Sequence, residues 1–101
     1  MKNMPITEEQ MVANRNYVDE QIIKCATIAN PNNLHYVLIV HWDYLAEKLV
    51  STVAYFEEYF EADTWAKSKD KLYSDLRDKM IYSGLGDRII YSIYIDGIYK
   101  Y

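Results

Sequence analysis

An Asp-Gly pair near the end of the chain, Asp96-Gly97, constrains the fold more than any other feature. It lies within a stretch of alternating β-branched and aromatic residues, 88–101, which reads RIIYSIYIDGIYKY. Two-residue hairpin turns need positive φ at both central positions, so this pattern predicts a β-hairpin over about residues 88–101. The register that follows pairs Ile95 with Ile98, Tyr94 with Tyr99, Ile93 with Lys100 and Ser92 with Tyr101.

The predicted hairpin has two apolar faces. A two-stranded hairpin is marginally stable by itself in water. We therefore expect one face to cover the protein's own core, and the other, rich in tyrosine, to be available to a partner. The first face holds Ile89, Tyr91, Ile93, Ile95 and Ile98, and the second holds Ile90, Tyr94, Tyr99 and Tyr101.

The sequence predicts three helices, of which the first and the third lie on either side of the middle of the chain. The first spans about residues 8–29 and ends before Pro31, because proline disfavours helical geometry in the residue before it. The third spans about residues 64–82, with Asp63 or Thr64 as its N-cap and Gly84 as its left-handed stop.

The second predicted helix spans residues 34–61. Its apolar residues recur at intervals of three and four along the whole segment, which is the spacing of one helical face. The stripe consists of Leu34, Leu38, Trp42, Leu45, Leu49, Val53, Phe56 and Phe60. The composition of 34–40 resembles a strand, but the longer periodicity favours a helix.

These elements predict a mainly helical α+β fold: a three-helix core with a C-terminal β-hairpin, in a single domain over residues 1–101. A chain of 101 residues matches the commonest domain size. The predicted core is formed by Trp42, Leu45, Leu49 and Val53 with Val18, Ile22, Leu72 and Leu76.

Composition limits the partners. The net charge of −4 disfavours nucleic acid, whose affinity comes from lysine and arginine contacts to phosphates. No apolar run approaches the roughly 20 residues of a membrane-spanning helix, and the first ten residues do not form a secretory signal. Cys25 is the only cysteine, so an internal disulfide is excluded. We expect a soluble cytoplasmic protein.

The residue pattern predicts neither catalysis nor a metal or cofactor site. On a helix, His41 and Asp43 would point in nearly opposite directions and so could not bind one ion. Cys25 falls in the apolar stripe of the first helix, which indicates a buried structural cysteine instead of a nucleophile. The three glycines do not form a phosphate-binding loop.

Carboxylates and aromatic rings are interleaved near the end of the predicted second helix. Glu57, Glu58 and Glu61 lie beside Tyr55 and Tyr59, an arrangement that a basic protein surface would recognise. A solvated helix end is the alternative interpretation. The hairpin tyrosines Tyr94, Tyr99 and Tyr101 complete the predicted partner-binding set, because tyrosine is enriched at interfaces.

Function is predicted only by class. The leading hypothesis is a small acidic interaction module that binds and inhibits another macromolecule. In size and acidity the chain resembles phage-encoded inhibitors of host defence and bacterial immunity proteins. The alternative is a homo-oligomeric structural or assembly subunit, which dimerises through the hairpin edges or tyrosine faces.

Overall fold

The computed structural model describes residues 8–43, 46–81 and 91–101. In these ranges the chain forms a four-stranded antiparallel sheet in the order β2-β1-β3-β4, with one long helix on each face. The elements are α1 (Glu8–Ala29), β1 (His35–Asp43), β2 (Lys48–Phe56), α2 (Tyr59–Ile81), β3 (Tyr91–Ile95) and β4 (Ile98–Tyr99). Neither of these helices has the length and apolar character that crossing a membrane requires.

The prediction of a helix over 34–61 is wrong, and with it the three-helix core. The segment folds into β1 and β2, which pair from His35↔Phe56 to Asp43↔Lys48. Both faces of β1 are buried under helices. A strand that is apolar on both faces has no alternation of apolar and polar residues, so it can also contain apolar residues at intervals of three and four. The spacing therefore could not distinguish this strand from one face of a helix.

The predicted third helix also starts earlier than expected. α2 begins at Tyr59, and the predicted caps Asp63 and Thr64 lie inside it. The predicted stop at Gly84 lies outside the described residues. The first helix agrees with its prediction: α1 ends at Ala29, and Asn33 adopts a left-handed conformation with φ 55° after a 3-10 turn.

Two buried clusters, one on each face of the sheet, form the core. The α1 side contains Cys25, Ala29, Tyr36, Leu38 and Val40, and the α2 side contains Val37, Ile39, Ala62, Ala66, Ile93 and Ile95. The small Ala62 and Ala66 allow α2 to approach the sheet closely. Of the predicted core, Val18, Ile22 and Leu49 pack on the α1 side, and Trp42 is half-buried. Val53, Leu72 and Leu76 are instead exposed, and Leu45 lies outside the described residues.

The C-terminal hairpin is confirmed at its turn. Asp96 and Gly97 both have positive φ, 52° and 84°, and the pairs Ile95↔Ile98 and Tyr94↔Tyr99 form as predicted. Beyond them the register changes, because the N–H groups of Lys100 and Tyr101 both donate to the carbonyl of Ile93, at 2.8 and 3.2 Å. This bulge replaces the predicted pairs of Ile93 with Lys100 and Ser92 with Tyr101.

Candidate protein-interaction surface

The junction between β2 and α2 presents five consecutive residues, Glu57 to Glu61, which we call the junction patch. The strand ends at Phe56, and α2 begins at Tyr59. The carbonyl of Glu58 accepts hydrogen bonds from the N–H groups of Glu61 and Ala62, at 3.1 and 3.3 Å. The patch is therefore held at the rigid first turn of a long helix.

The three glutamates lie at a helix start, where the sequence predicted a helix end. Negative charge is favourable at a helix N-terminus, by about 0.3 to 1 kcal/mol per group when exposed. The unfavourable charge at a C-terminus, which the sequence interpretation implied, is thus absent. Glu61 lies in the first turn of α2, so stabilisation of the helix is enough to explain a negative charge at this position. The same effect explains part of the negative charge at Glu57 and Glu58.

Helix stabilisation does not explain the exposed aromatic residues of the patch. Phe60 is 77% exposed and Tyr59 is 42% exposed. Tyr59 contacts the ring of His35 edge-on, with centroids 5.6 Å apart. Phe60 borders a shallow groove of about 380 Å³ between the end of β2 and one flank of α2, lined by Phe56, Phe60, Glu61, Thr64, Trp65 and Ser68. An exposed aromatic residue beside an apolar groove is typical of a contact surface.

The other predicted binding residues do not join this patch. Tyr55 faces α1, where its hydroxyl contacts Cys25. Tyr94 also packs under α1. The prediction that the tyrosine face of the hairpin is available to a partner is therefore wrong at this residue. Tyr99 is 62% exposed and contacts the Tyr94 ring edge-on at 5.8 Å. The bulge turns Tyr101 to the α2 face, where it packs beside the core.

A second concave surface lies between α1 and the hairpin. This groove has a volume of about 560 Å³, and α1 contributes Arg15 and Asp19 while the hairpin contributes Tyr94 and Tyr99. Its two charged residues are both exposed. It therefore lacks the buried polar anchor that orients a small ligand. This groove was not predicted from the sequence; the interruption of the apolar stripe of α1 by Arg15 is the sequence feature that could have indicated it.

Tyr91 is the most perturbed titratable group, but its surroundings indicate a structural role. Its hydroxyl donates to Asp70 Oδ1 at 2.7 Å, its ring stacks on Tyr73 at 5.0 Å, and Arg77 lies 5.8 Å from its centroid. Burial, followed by the Asp70 hydrogen bond, raises the pKa of Tyr91 to about 12. Such a phenol stays protonated at neutral pH and is a poor base. The ring of His41 lies 6.0 Å from Tyr73.

Cys25 also lacks the environment of a nucleophile. It is 4% exposed between α1 and the sheet, as the sequence predicted for a structural cysteine. Burial raises the pKa of the thiol, and the hydrogen bond from the Tyr55 hydroxyl opposes this only in part. Thiolate is the reactive form, so this thiol is unreactive in the folded state. Across the described ranges, no three His, Cys, Asp or Glu side chains are grouped closely enough to hold a metal ion.

Among the surfaces of the described residues, the junction patch combines exposed aromatic rings with charge of one sign. The α1–hairpin groove combines aromatic rings with charges of both signs, and the Tyr91 cluster is half-buried. No protein-family model, curated protein or solved structure matches this chain. The junction patch is therefore the candidate site on geometric grounds.

Proposed function

We propose that this chain is a protein-interaction module whose junction patch binds a basic surface of a protein partner. The single observation that carries the proposal is the 77% exposure of Phe60 between Glu58 and Glu61. Aromatic residues dominate binding energy at interfaces when neighbouring groups exclude water from them. Carboxylates around such an anchor favour lysine- or arginine-containing partners and increase the association rate.

The position of the patch supports a recognition role. It lies at the first turn of α2, which is anchored to the sheet through Ala62 and Ala66, so binding costs little ordering entropy. Inhibition of the partner would follow from covering its basic surface. We place this role in the cytoplasm, a reducing compartment in which a single thiol such as Cys25 stays unmodified.

The proposal is tested by selecting binders from a displayed random peptide library against the immobilised chain. We expect enriched peptides to combine lysine or arginine with a large apolar residue. Two variants should lose these peptides: Phe60→Ala, and a triple glutamine variant of the patch, E57Q/E58Q/E61Q. Glutamine is used because reversing three charges at a helix N-terminus would also destabilise α2.

A matched control separates local recognition from net charge. The variant E20Q/D75N/D78N removes three negative charges at exposed positions away from the patch. It should retain the peptides that the wild-type chain selects. If the control lost peptide binding as much as the patch variant does, the net charge of the chain would explain the binding and the proposal would be wrong. Selection of peptides without basic residues would also overturn the proposal.

A further inference from the structure

One edge of the sheet is long and uncharged. β2 has nine residues and pairs with β1 on one side, and no strand in the described ranges pairs with its other side. Between Lys48 and Glu57 no residue is charged. Thr52 and Val53, in the middle of the strand, are exposed. The opposite edge is protected differently, because β4 has two residues and is followed by a bulge.

Edge strands of this kind are avoided in monomeric proteins, which interrupt them with charge, proline or bulges. The outward N–H and C=O groups of such a strand can pair with another strand. We propose that β2 pairs antiparallel with β2 of a second copy about a two-fold axis near Thr52 and Val53. The two sheets would then form one continuous sheet of eight strands.

The charges at the two ends of β2 favour a second copy of the chain as the partner and an antiparallel direction of pairing. Lys48 lies at one end of the edge strand, and Glu57 and Glu58 follow the other end. Antiparallel pairing about an axis between Thr52 and Val53 places Lys48 of each copy opposite Glu57 of the other, while Glu47 lies in the turn that precedes the strand, with φ 53°. Parallel pairing would place like charges together. Opposite charges across a strand pair are favourable and like charges unfavourable.

A line of exposed apolar residues on α2 fits the same symmetry. Leu72 and Leu76 are 57% and 41% exposed, and both fall within about 20° of Trp65 around the helix, given 100° per residue. Trp65 marks the flank of α2 above the β2 edge, because its ring contacts Phe56 at 5.8 Å.

The antiparallel seam brings opposite ends of this line together. α2 starts beside the last residue of β2 and runs back towards its first, as the contact of Tyr73 with His41 shows. Each copy's Leu72 and Leu76 are therefore directed towards the other copy's groove at Phe56, Phe60 and Trp65. The pairing thus explains exposed apolar residues that the protein's own core leaves uncovered.

The first experiment is the molar mass in solution, measured by light scattering from low to high micromolar concentration. We expect a dimer for the full chain and a monomer of unchanged circular dichroism for Thr52→Lys and for Val53→Lys. The matched control is Ile98→Lys on the other edge, where Ile98 is 65% exposed, and it should remain dimeric. A monomeric wild-type chain, or dissociation by Ile98→Lys instead, would overturn the proposal.

A charge-swap cycle tests the direction of pairing. Lys48→Glu and Glu57→Lys should each weaken the dimer by about three- to tenfold, since each change affects two symmetric pairs. The double variant K48E/E57K should recover most of that loss. Additive weakening in the double variant would exclude antiparallel pairing at this edge. If Thr52→Lys prevents folding, the swap cycle still decides, because its positions lie at the strand ends.

The dimer and the basic partner are separable experimentally. Peptide selection repeated on a folded, monomeric Thr52→Lys variant tests the junction patch without the dimer. Because the dimer covers Glu57 and Phe60 of the junction patch, the two interactions compete, and we expect the monomeric variant to bind the peptides at least as tightly as the wild-type chain. Loss of peptide binding in a folded, monomeric variant would overturn the proposed function of the patch and leave the dimer proposal standing.

Discussion

Asp96 connects the hairpin turn to the start of β1 at the level of single atoms. Its N–H donates to the carbonyl of Tyr36 at 3.0 Å, and its Oδ1 accepts from the N–H of Tyr36 at 3.1 Å. Its Oδ2 lies 2.8 Å from Nδ1 of His35. The residue also holds φ at 52°, which few side chains other than asparagine and aspartate tolerate.

Substitution of Asp96 should separate these contributions. Asp96→Ala removes both side-chain acceptors and the tolerance of positive φ, so we expect a loss of about 1 to 3 kcal/mol in the free energy of unfolding. Asp96→Asn keeps one acceptor and the turn conformation, and should cost less than about 1 kcal/mol. Urea unfolding with an unchanged m-value measures both. Equal costs for the two variants would show that the side-chain contacts are unimportant.

At the scale of elements, Tyr91 joins β3 to α2. Its side chain stacks on Tyr73 and donates to Asp70, two α2 residues, while its backbone pairs opposite His41 of β1. The raised pKa links this connection to pH. An unfolded tyrosine loses its proton near pH 10, whereas folded Tyr91 keeps its proton until about pH 12. The unfolded state is therefore favoured progressively across that interval.

We expect Tyr91 to contribute its full stabilisation below pH 10 and to lose it as the pH rises to about 12. Urea unfolding across this range should show a steeper decline for the wild-type chain than for Tyr91→Phe, which retains the ring and lacks the hydroxyl. The comparison with Tyr91→Phe is needed because eleven tyrosines titrate at high pH. Parallel declines in the two proteins would exclude an Asp70-linked shift.

At the scale of the whole molecule, the described part of the chain places one helix on each face of the sheet. Cys25 lies beneath α1 and is 4% exposed, so a reagent reaches it only when α1 separates from the sheet or the chain unfolds. The thiol therefore reports on the integrity of this layer. Its raised pKa further lowers the thiolate fraction in the folded state.

A disulfide reagent should modify folded Cys25 at least roughly a hundredfold more slowly than the unfolded chain. Sub-denaturing urea should accelerate the reaction in proportion to the population of open molecules. The measurement is the rate of thiol modification at one pH over a urea series. Reaction at the unfolded rate without urea would show that α1 does not protect the sheet.

Features that depend on a few neighbouring residues could be predicted from the sequence alone. Asp96-Gly97 encodes a turn because its positive φ values are a local property. Asn30-Pro31 encodes the end of α1 for the same reason. The burial of Cys25 followed from the apolar stripe of that helix. The acidic and aromatic residues of the junction patch are neighbours because they are consecutive in the chain, whereas Tyr55, which the sequence grouped with them, faces α1.

The identity of 34–61 required the tertiary structure. β1 is apolar on both faces because a helix covers each, and a strand buried in this way loses the alternation that identifies it. Once this segment is a strand pair, the glutamates move from a helix end to a helix start, and β2 becomes an edge strand of the sheet that the described residues form. The bulge at Lys100 and Tyr101, which depends on pairing with Ile93, decided the face of Tyr101. Long-range pairing and layer order thus determined the surfaces available for binding.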